Sequence, residues 1–89
     1  MDLLKQKVLI VDDEASIQEL IRFNLEQAGF ETDVASDGIA ALEKFESYRP
    51  DLIVLDLMLP GKDGYDVCKE IRRSSNVPII MLTAKETEL

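Results

Sequence analysis

The chain has 89 residues, a single cysteine and no histidine, and its 18 acidic residues outnumber the 10 basic ones to leave a formal net charge of −8. This length gives room for one small domain, and the negative charge argues against nucleic acid or an anionic membrane as a partner of this segment. The missing histidine excludes histidine-based triads and most zinc sites, while the lone cysteine and the lack of a signal peptide or membrane-length apolar run predict a cytoplasmic location.

The first half of the chain alternates an apolar run, a helical pattern and a second short run. Val8–Val11 is apolar and rich in β-branched residues, which is typical of a strand buried on both faces. A helix follows and ends at Gly29, a natural C-terminal cap, and Thr32–Ala35 then forms a short strand. The residues of this helix that are predicted to face inward are Ile17, Leu20, Ile21, Leu25 and Ala28.

The second half repeats the alternation. Asp37 is placed to cap a second helix, and Pro50 breaks the chain before the apolar run Leu52–Leu55. A third helix is predicted from Tyr65 to Arg73, and a fourth apolar run occupies Ile79–Leu82. The residues predicted to face inward are Ala41, Leu42 and Phe45 in the second helix and Val67, Cys68 and Ile71 in the third.

Strict alternation of strands and helices predicts βαβ units and a parallel sheet. Right-handed crossovers leave two solutions: the strands continue in one direction, or their order reverses once so that helices cover both faces. The second hides both faces of strands one and three, so we predict a doubly wound α/β sheet of order 2-1-3-4. Ligands bind such sheets beyond the carboxyl ends of the strands where the order reverses. Strand one ends in Asp12, Asp13 and Glu14 and strand three in Asp56, so both deliver carboxylates there.

Clustered carboxylates predict a particular chemistry. They cannot all stay ionised at close range without a cation or a raised pKa, and oxygen-only ligands of this kind suit Mg²⁺. A bound Mg²⁺ would make Asp56 a plausible nucleophile toward a phosphoryl group. Thr83 follows the fourth strand, so its hydroxyl and the backbone N–H of Ala84 are candidates to donate to phosphate oxygens.

Each of these features also has a purely structural interpretation. An acidic run such as Asp12–Glu14 is common where a loop caps a helix, and Thr83 on its own is only a threonine that ends a strand. Asp56 could be a solubility charge at a strand end, but it stands between apolar residues, an unfavourable place for an idle carboxylate. The combination of the three features favours the functional interpretation.

Three segments resemble the receiver domains of bacterial response regulators. They are VLIVDDE at Val8–Glu14, DLIVLDLMLPGKDG at Asp51–Gly64 and PIIMLTA at Pro78–Ala84, and their spacing also matches the family. The resemblance covers the chain from about Lys7 to its last residue and implies the flavodoxin-like receiver fold. The segment from Leu57 to Arg72 is most similar to regulators of the OmpR/PhoB type, which carry a C-terminal winged-helix DNA-binding domain and control transcription.

The resemblance also implies a role for each site residue. Asp56 would accept the phosphoryl group from a partner sensor histidine kinase, and the chain would not be an enzyme in the usual sense. Asp13, Asp56 and the backbone carbonyl of Met58 would ligate Mg²⁺, while Asp12 would act through water in the second shell. Thr83 resembles the switch hydroxyl that moves toward the phosphate, and the N–H of Ala84 would contact it.

The family pattern continues beyond Leu89 with a fourth helix, a fifth strand that ends in an essential lysine, and a fifth helix. Neither Lys62 nor Lys85 matches that lysine. We therefore expect residues 1–89 to form a single incomplete receiver domain without a DNA-binding domain. Two alternatives stay open: an interaction module that does not switch, and a homodimer or swapped dimer formed across the exposed edge of Ile79–Leu82.

Two rival functions fit the residues less well. A phosphohydrolase of the haloacid-dehalogenase type would need a second aspartate two positions after the nucleophile, where this chain has Met58. A dinucleotide-binding module would need a glycine-rich turn after strand one, where this chain has Asp12–Glu14.

Overall fold

The computed structural model describes residues 5–60 and 63–82. Strands and helices alternate along the chain in the predicted order. Their bounds are β1 (Lys7–Val11), α1 (Ala15–Gln27), β2 (Glu31–Ala35), α2 (Gly38–Tyr48), β3 (Leu52–Asp56), α3 (Gly64–Arg72) and β4 (Ile79–Leu82). No helix among the described residues is long and apolar enough to cross a membrane.

The four strands form one parallel sheet in the order β2-β1-β3-β4, which confirms the predicted order. In this register Val11, the last residue of β1, lies between Ala35 of β2 and Leu55 of β3. Strands β1 and β3 therefore end at nearly the same level of the sheet, and the reversal of strand order lies between them.

Strand β1 is apolar throughout because both of its faces are covered. Leu9 and Val11 belong to a buried cluster that includes residues of α2 and α3. Val8 and Ile10 belong to a second cluster, against which Ile21 and Leu25 of α1 pack. Alternate residues of a strand point to opposite faces, so α1 covers one face of the sheet and the other two helices cover the opposite face. Full burial of each such side chain contributes about 1.5–3 kcal/mol.

Two of the predicted helix ends are confirmed. Gly29 follows the last turn of α1 with a φ of 98°, a left-handed conformation that glycine adopts without strain. The Gly29 N–H donates to the Glu26 carbonyl at 3.1 Å and the Phe30 N–H to the Leu25 carbonyl at 3.0 Å, the two bonds of a Schellman cap. At the start of α2, the Asp37 carboxylate accepts from the Ala40 N–H at 2.8 Å.

The predicted inward face of α1 is wrong at two positions. Leu20 is 60% exposed, and Ala28 is exposed at the C-cap, where the helix ends. Residues of a helix are rotated by about 100° from one to the next, so Ile17, Gln18 and Ile21 share one arc while Leu20 falls outside it. The buried stripe is thus narrower than predicted, and Gln18 takes a place in it.

The inward faces of α2 and α3 are confirmed. Ala41, Val67 and Ile71 are buried in the core, and the remaining predicted positions are partly buried against it: Leu42, Phe45 and Cys68.

Strand β4 is the least covered strand of the sheet. Within residues 5–60 and 63–82 it pairs with β3 alone, and the side chains of Ile80 and Met81 are about half exposed. Pairing of this edge with a second chain stays a prediction.

Candidate metal and phosphoacceptor site

The carboxyl ends of β1 and β3 bring three carboxylates together. Asp12 and Asp13 follow β1 directly, and Asp56 is the last residue of β3. A carboxylate oxygen of each lies within 4.8 Å of those of the other two. The cluster thus lies where the strand order reverses, between the two central strands.

The three carboxylates differ in exposure. Asp12 and Asp56 are only 5% and 6% exposed, whereas Asp13 is exposed. Burial raises the pKa of Asp12 above its ordinary value, although the hydrogen bond from the Glu14 N–H acts in the opposite sense. The neighbouring charges of Asp56, Asp13 and Glu14 raise the Asp12 pKa further. Keeping Asp12 ionised in these surroundings therefore costs free energy in the absence of a cation.

Each buried carboxylate is held by a backbone N–H two residues further along the chain. The Glu14 N–H donates to Asp12 Oδ1 at 2.9 Å, and the Met58 N–H donates to Asp56 Oδ1 at 3.0 Å. Glu14 is the N-cap residue of α1 but makes no capping bond through its side chain, so its carboxylate does not cap that helix. Among the described residues, neither Asp12 Oδ2 nor Asp56 Oδ2 receives a protein hydrogen bond.

Gly64 allows the start of α3 to approach the Asp56 backbone. A Cβ at this position would lie 2.7 Å from the Asp56 carbonyl oxygen and 2.7 Å from the Leu57 Cα, closer than a non-glycine residue can accommodate without a backbone shift. The Gly64 N–H also donates to the Leu57 carbonyl at 3.3 Å. Sequence reasoning missed this residue.

Gln18 supports the other half of the site and was also missed. It is 8% exposed, and its side-chain nitrogen donates to the Asp12 carbonyl oxygen at 2.5 Å and to Ser36 Oγ at 3.1 Å. The available signal was its position, since Gln18 is three residues before Ile21 and seven before Leu25 and so shares their helical stripe.

The remaining predicted site residues are described only in part. The Met58 side chain is exposed, and no described residue donates to its carbonyl oxygen. Thr83 and Ala84 lie outside the described residues. The residue before them, Leu82, pairs with Asp56 in the sheet, and its carbonyl accepts from the Leu57 N–H at 3.1 Å.

The donor set of the cluster fits a hard divalent cation. All candidate ligand atoms are oxygens, two of the three carboxylates are buried, and none of them forms a salt bridge with a described lysine or arginine. Carboxylate and carbonyl oxygens are the ligands that Mg²⁺ prefers. The cluster is thus compatible with bound Mg²⁺.

Comparison with known proteins identifies the class to which this fold and site belong. The family model for the response regulator receiver domain matches residues 8–89. The chain therefore belongs to the response regulator receiver family, which confirms the resemblance seen in the sequence.

Relatives within this family include transcriptional regulators. The chain is 52% identical over 85 residues to the DNA-binding response regulator MtrA of Mycobacterium tuberculosis, covering 96% of this chain and 37% of that protein. It is 52% identical over 86 residues to the alkaline phosphatase synthesis transcriptional regulatory protein PhoP of Bacillus subtilis, covering 96% of this chain and 36% of that protein. The chain thus spans little more than a third of the length of these relatives.

Solved receiver structures share the fold. The BeF3-activated receiver domain of Klebsiella pneumoniae RstA is 34% identical, with a TM-score of 0.87 over 93% of this chain and 71% of that one. The chemotaxis protein CheY4 of Vibrio cholerae is 37% identical, with a TM-score of 0.86 over 93% of this chain and 72% of that one.

Proposed function

We propose that this chain is the phosphorylatable switch of a two-component response regulator, and that Asp56 accepts the phosphoryl group from a sensor histidine kinase. The observation that carries the proposal is the meeting of Asp12, Asp13 and Asp56 within 4.8 Å at the carboxyl ends of the two central strands. Buried like charges without a described basic partner are a frequent mark of a functional site.

Asp13, Asp56 and the Met58 carbonyl are the proposed ligands of Mg²⁺, which would neutralise charge on the incoming phosphoryl group. Asp12 is assigned to the second shell, where it would act through water, because the resemblance to receiver domains implies that role. Exposed Asp13, in contrast, makes no hydrogen bond through its carboxylate to any described residue.

The geometry of Asp56 suits it to nucleophilic attack. The Met58 N–H holds Oδ1, which fixes the orientation of the carboxylate and leaves Oδ2 to form the new P–O bond. As that bond forms, the P–N bond to the kinase histidine breaks, and the leaving imidazole keeps the electron pair. The Thr83 hydroxyl and the Ala84 N–H are proposed to bind the transferred phosphate, with Thr83 reading its presence rather than attacking it.

The proposal for the whole protein rests on its relatives. Because MtrA and PhoP are named as DNA-binding and transcriptional regulators, we propose that the protein controls transcription from the cytoplasm through a separate output domain. With a net charge of −8, this segment itself is not expected to bind DNA.

A phosphorylation experiment tests the central role of Asp56. In a chain extended to the full length of a receiver domain, incubation with Mg²⁺ and a small acyl phosphate should add one phosphoryl group, and borohydride trapping followed by mass spectrometry should locate it at Asp56. Asp56→Asn should abolish the reaction. Asp51→Asn is the matched control, since Asp51 is exposed just before the opposite end of the same strand. A phosphate found on Thr83 or Ser36 instead would refute the assignment.

The half-exposed side chains of Ile80 and Met81 on β4 favour a second candidate function, an interaction module that associates through this edge without switching. Sedimentation over a range of concentrations tests it. A dimer that forms equally well with and without the phosphodonor would support the module, whereas a monomer at all concentrations would exclude it.

A further inference from the structure

Gln18 is the buried residue of α1, and its side chain is polar where an apolar one is expected. The other inward positions of this helix are apolar, whereas Gln18 brings an amide to within hydrogen-bond distance of two partners. Burial of an amide costs free energy unless it is hydrogen-bonded, and an apolar side chain would fill the same stripe without that requirement. The two bonds of the Gln18 amide therefore call for an explanation in terms of what they hold.

The first bond holds the backbone of the acidic cluster. The Asp12 N–H donates to the Ala35 carbonyl of β2 at 3.1 Å, and the Asp12 carbonyl accepts from the Gln18 amide at 2.5 Å. Both backbone polar groups of Asp12 are thus fixed. The peptide unit that joins Asp12 to Asp13 is planar. Fixing the Asp12 carbonyl therefore also fixes the orientation of the Asp13 nitrogen, and with it the direction in which the chain leaves β1.

The second bond ties the same amide to the neighbouring loop. Ser36 follows β2 directly and precedes Asp37, the N-cap residue of α2. One amide group therefore links the ends of β1 and β2 at 2.5 Å and 3.1 Å. Removal of the amide would release the Asp12 carbonyl and the Ser36 hydroxyl together.

We infer that Gln18 is a positioning residue of the divalent-cation site, acting through the peptide unit between Asp12 and Asp13. The inference rests on the proposed Mg²⁺ site and adds to it a residue that does not touch the cation. Gln18 raises cation affinity by holding Asp13 in the conformation that binds, so that less ordering is required at the moment of binding.

The test is a titration of the wild-type chain and two variants with Mg²⁺ alone, followed through backbone amide resonances. Gln18→Met keeps the length of the side chain and removes its donor, and Gln27→Met makes the same change at an exposed position of α1. Gln18→Met should weaken Mg²⁺ binding by about threefold to tenfold, the range that one hydrogen bond supplies. Gln27→Met should bind as the wild type does.

Urea unfolding without Mg²⁺ separates positioning from simple support of the fold. A purely structural role would lower the unfolding free energy of Gln18→Met and leave the Mg²⁺ dissociation constant of its folded fraction unchanged, and that result would overturn the inference. A second measurement needs no variant: in the wild type, the side-chain amide resonances of Gln18 should shift along the same binding curve as the Asp13 amide. Gln18 resonances that stay still while Asp13 moves would also overturn the inference.

The outcomes for the inference and for the proposed site are distinct. If Asp13→Asn and Gln18→Met both bind Mg²⁺ more weakly than the wild type, the proposed Mg²⁺ site and the positioning role of Gln18 are both supported. Weaker binding by Asp13→Asn alone retains the proposed Mg²⁺ site and removes Gln18 from it. A wild-type chain that binds no Mg²⁺ overturns both.

Discussion

Two groups of carboxylates in this chain have opposite electrostatic surroundings. The flank carboxylates, Glu26 and Asp33, have partners within the fold. Lys44 Nζ donates to Asp33 at 2.6 Å, and Glu26 accepts from Thr32 Oγ1 at 2.6 Å and from Arg22 Nε at 3.3 Å.

These partners lower the pKa of both flank carboxylates. For Glu26 the main cause is the hydrogen bond from Thr32, followed by that from Arg22. For Asp33, burial is the largest single influence and acts upward, but the bonds from Lys44 and from the Val34 N–H, together with the charges of Lys44 and Arg22, outweigh it.

The site carboxylates, Asp12, Asp13 and Asp56, have no side-chain donor among the described residues, and Asp12 and Asp56 accept only from backbone N–H groups. No described basic side chain forms a salt bridge with them, and the pKa of Asp12 is raised by burial and by its acidic neighbours. The difference teaches that the fold satisfies the flank carboxylates internally, whereas it holds the charge of Asp12 beside other carboxylates at a cost in free energy. Binding of a cation would relieve that cost, so the unbalanced group is where function is expected.

The largest effect is expected from substitution of Gly64, beside the site carboxylates, and it is compared with substitution of Gly29, beside the flank carboxylates. Gly64→Ala forces a Cβ against the Asp56 and Leu57 backbone, so the unfolding free energy should fall by about 1–3 kcal/mol. Because the shift moves Asp56, Mg²⁺ affinity should also fall by about tenfold or more. Urea unfolding and a Mg²⁺ titration measure the two effects.

Gly29→Ala is the control on the flank side. Its Cβ would meet nothing within 4 Å, but its φ of 98° is strained for alanine, so the unfolding free energy should fall by about 1–2 kcal/mol. Mg²⁺ affinity should not change. Equal losses of Mg²⁺ affinity in the two variants would show that Gly64 supports only the fold.

Asp12→Asn should stabilise the chain when no divalent cation is present. A carboxyl group with a raised pKa binds its proton more tightly in the folded state, so its charged form destabilises the fold as pH rises. The stability gain of Asp12→Asn over wild type should therefore be absent well below the ordinary pKa of 3.8 and grow as pH rises through the folded pKa of Asp12. Urea melts at several pH values measure it, and a variant less stable than wild type at neutral pH would contradict the account.

Asp33→Asn should have the opposite sign and a smaller size. Its lowered pKa means that the charged form stabilises the fold above the ordinary value of 3.8, and that this contribution disappears as pH falls through the folded pKa. Since both partners of the Asp33–Lys44 pair are partly exposed, the loss at neutral pH should be at most about 1 kcal/mol. Lys44→Met should lose a similar amount, and a gain of stability in either variant would break the comparison.

Much of the fold was predictable because local signals agreed with the tertiary structure. Val8–Val11 and Leu52–Leu55 are apolar because both faces of their strands are covered, and that pattern predicted the order of the sheet. Asp37 and Gly29 are residues whose chemistry suits one end of a helix. The meeting of β1 and β3 at the switch point then followed from topology.

The supporting residues of the site were not predicted because their roles depend on contacts distant in sequence. The buried amide of Gln18 is satisfied by hydrogen bonds to Asp12 and to Ser36, which is 18 residues away. Gly64 matters because α3 approaches the end of β3. Leu20 was misplaced because helical periodicity does not give the width of the buried stripe, which depends on how α1 packs on the sheet.

The most direct test of the account is a Mg²⁺ titration that compares the two groups of carboxylates. In the wild type, the amide resonances of Asp12, Asp13 and Asp56 should shift and saturate, while that of Asp33 stays still. Asp13→Asn should weaken binding more than Asp12→Asn does, because Asp13 is the proposed direct ligand, and Asp33→Asn should bind as the wild type does. Equal Mg²⁺ affinity of the wild type and Asp13→Asn would contradict the claim that the site carboxylates are held together for a cation.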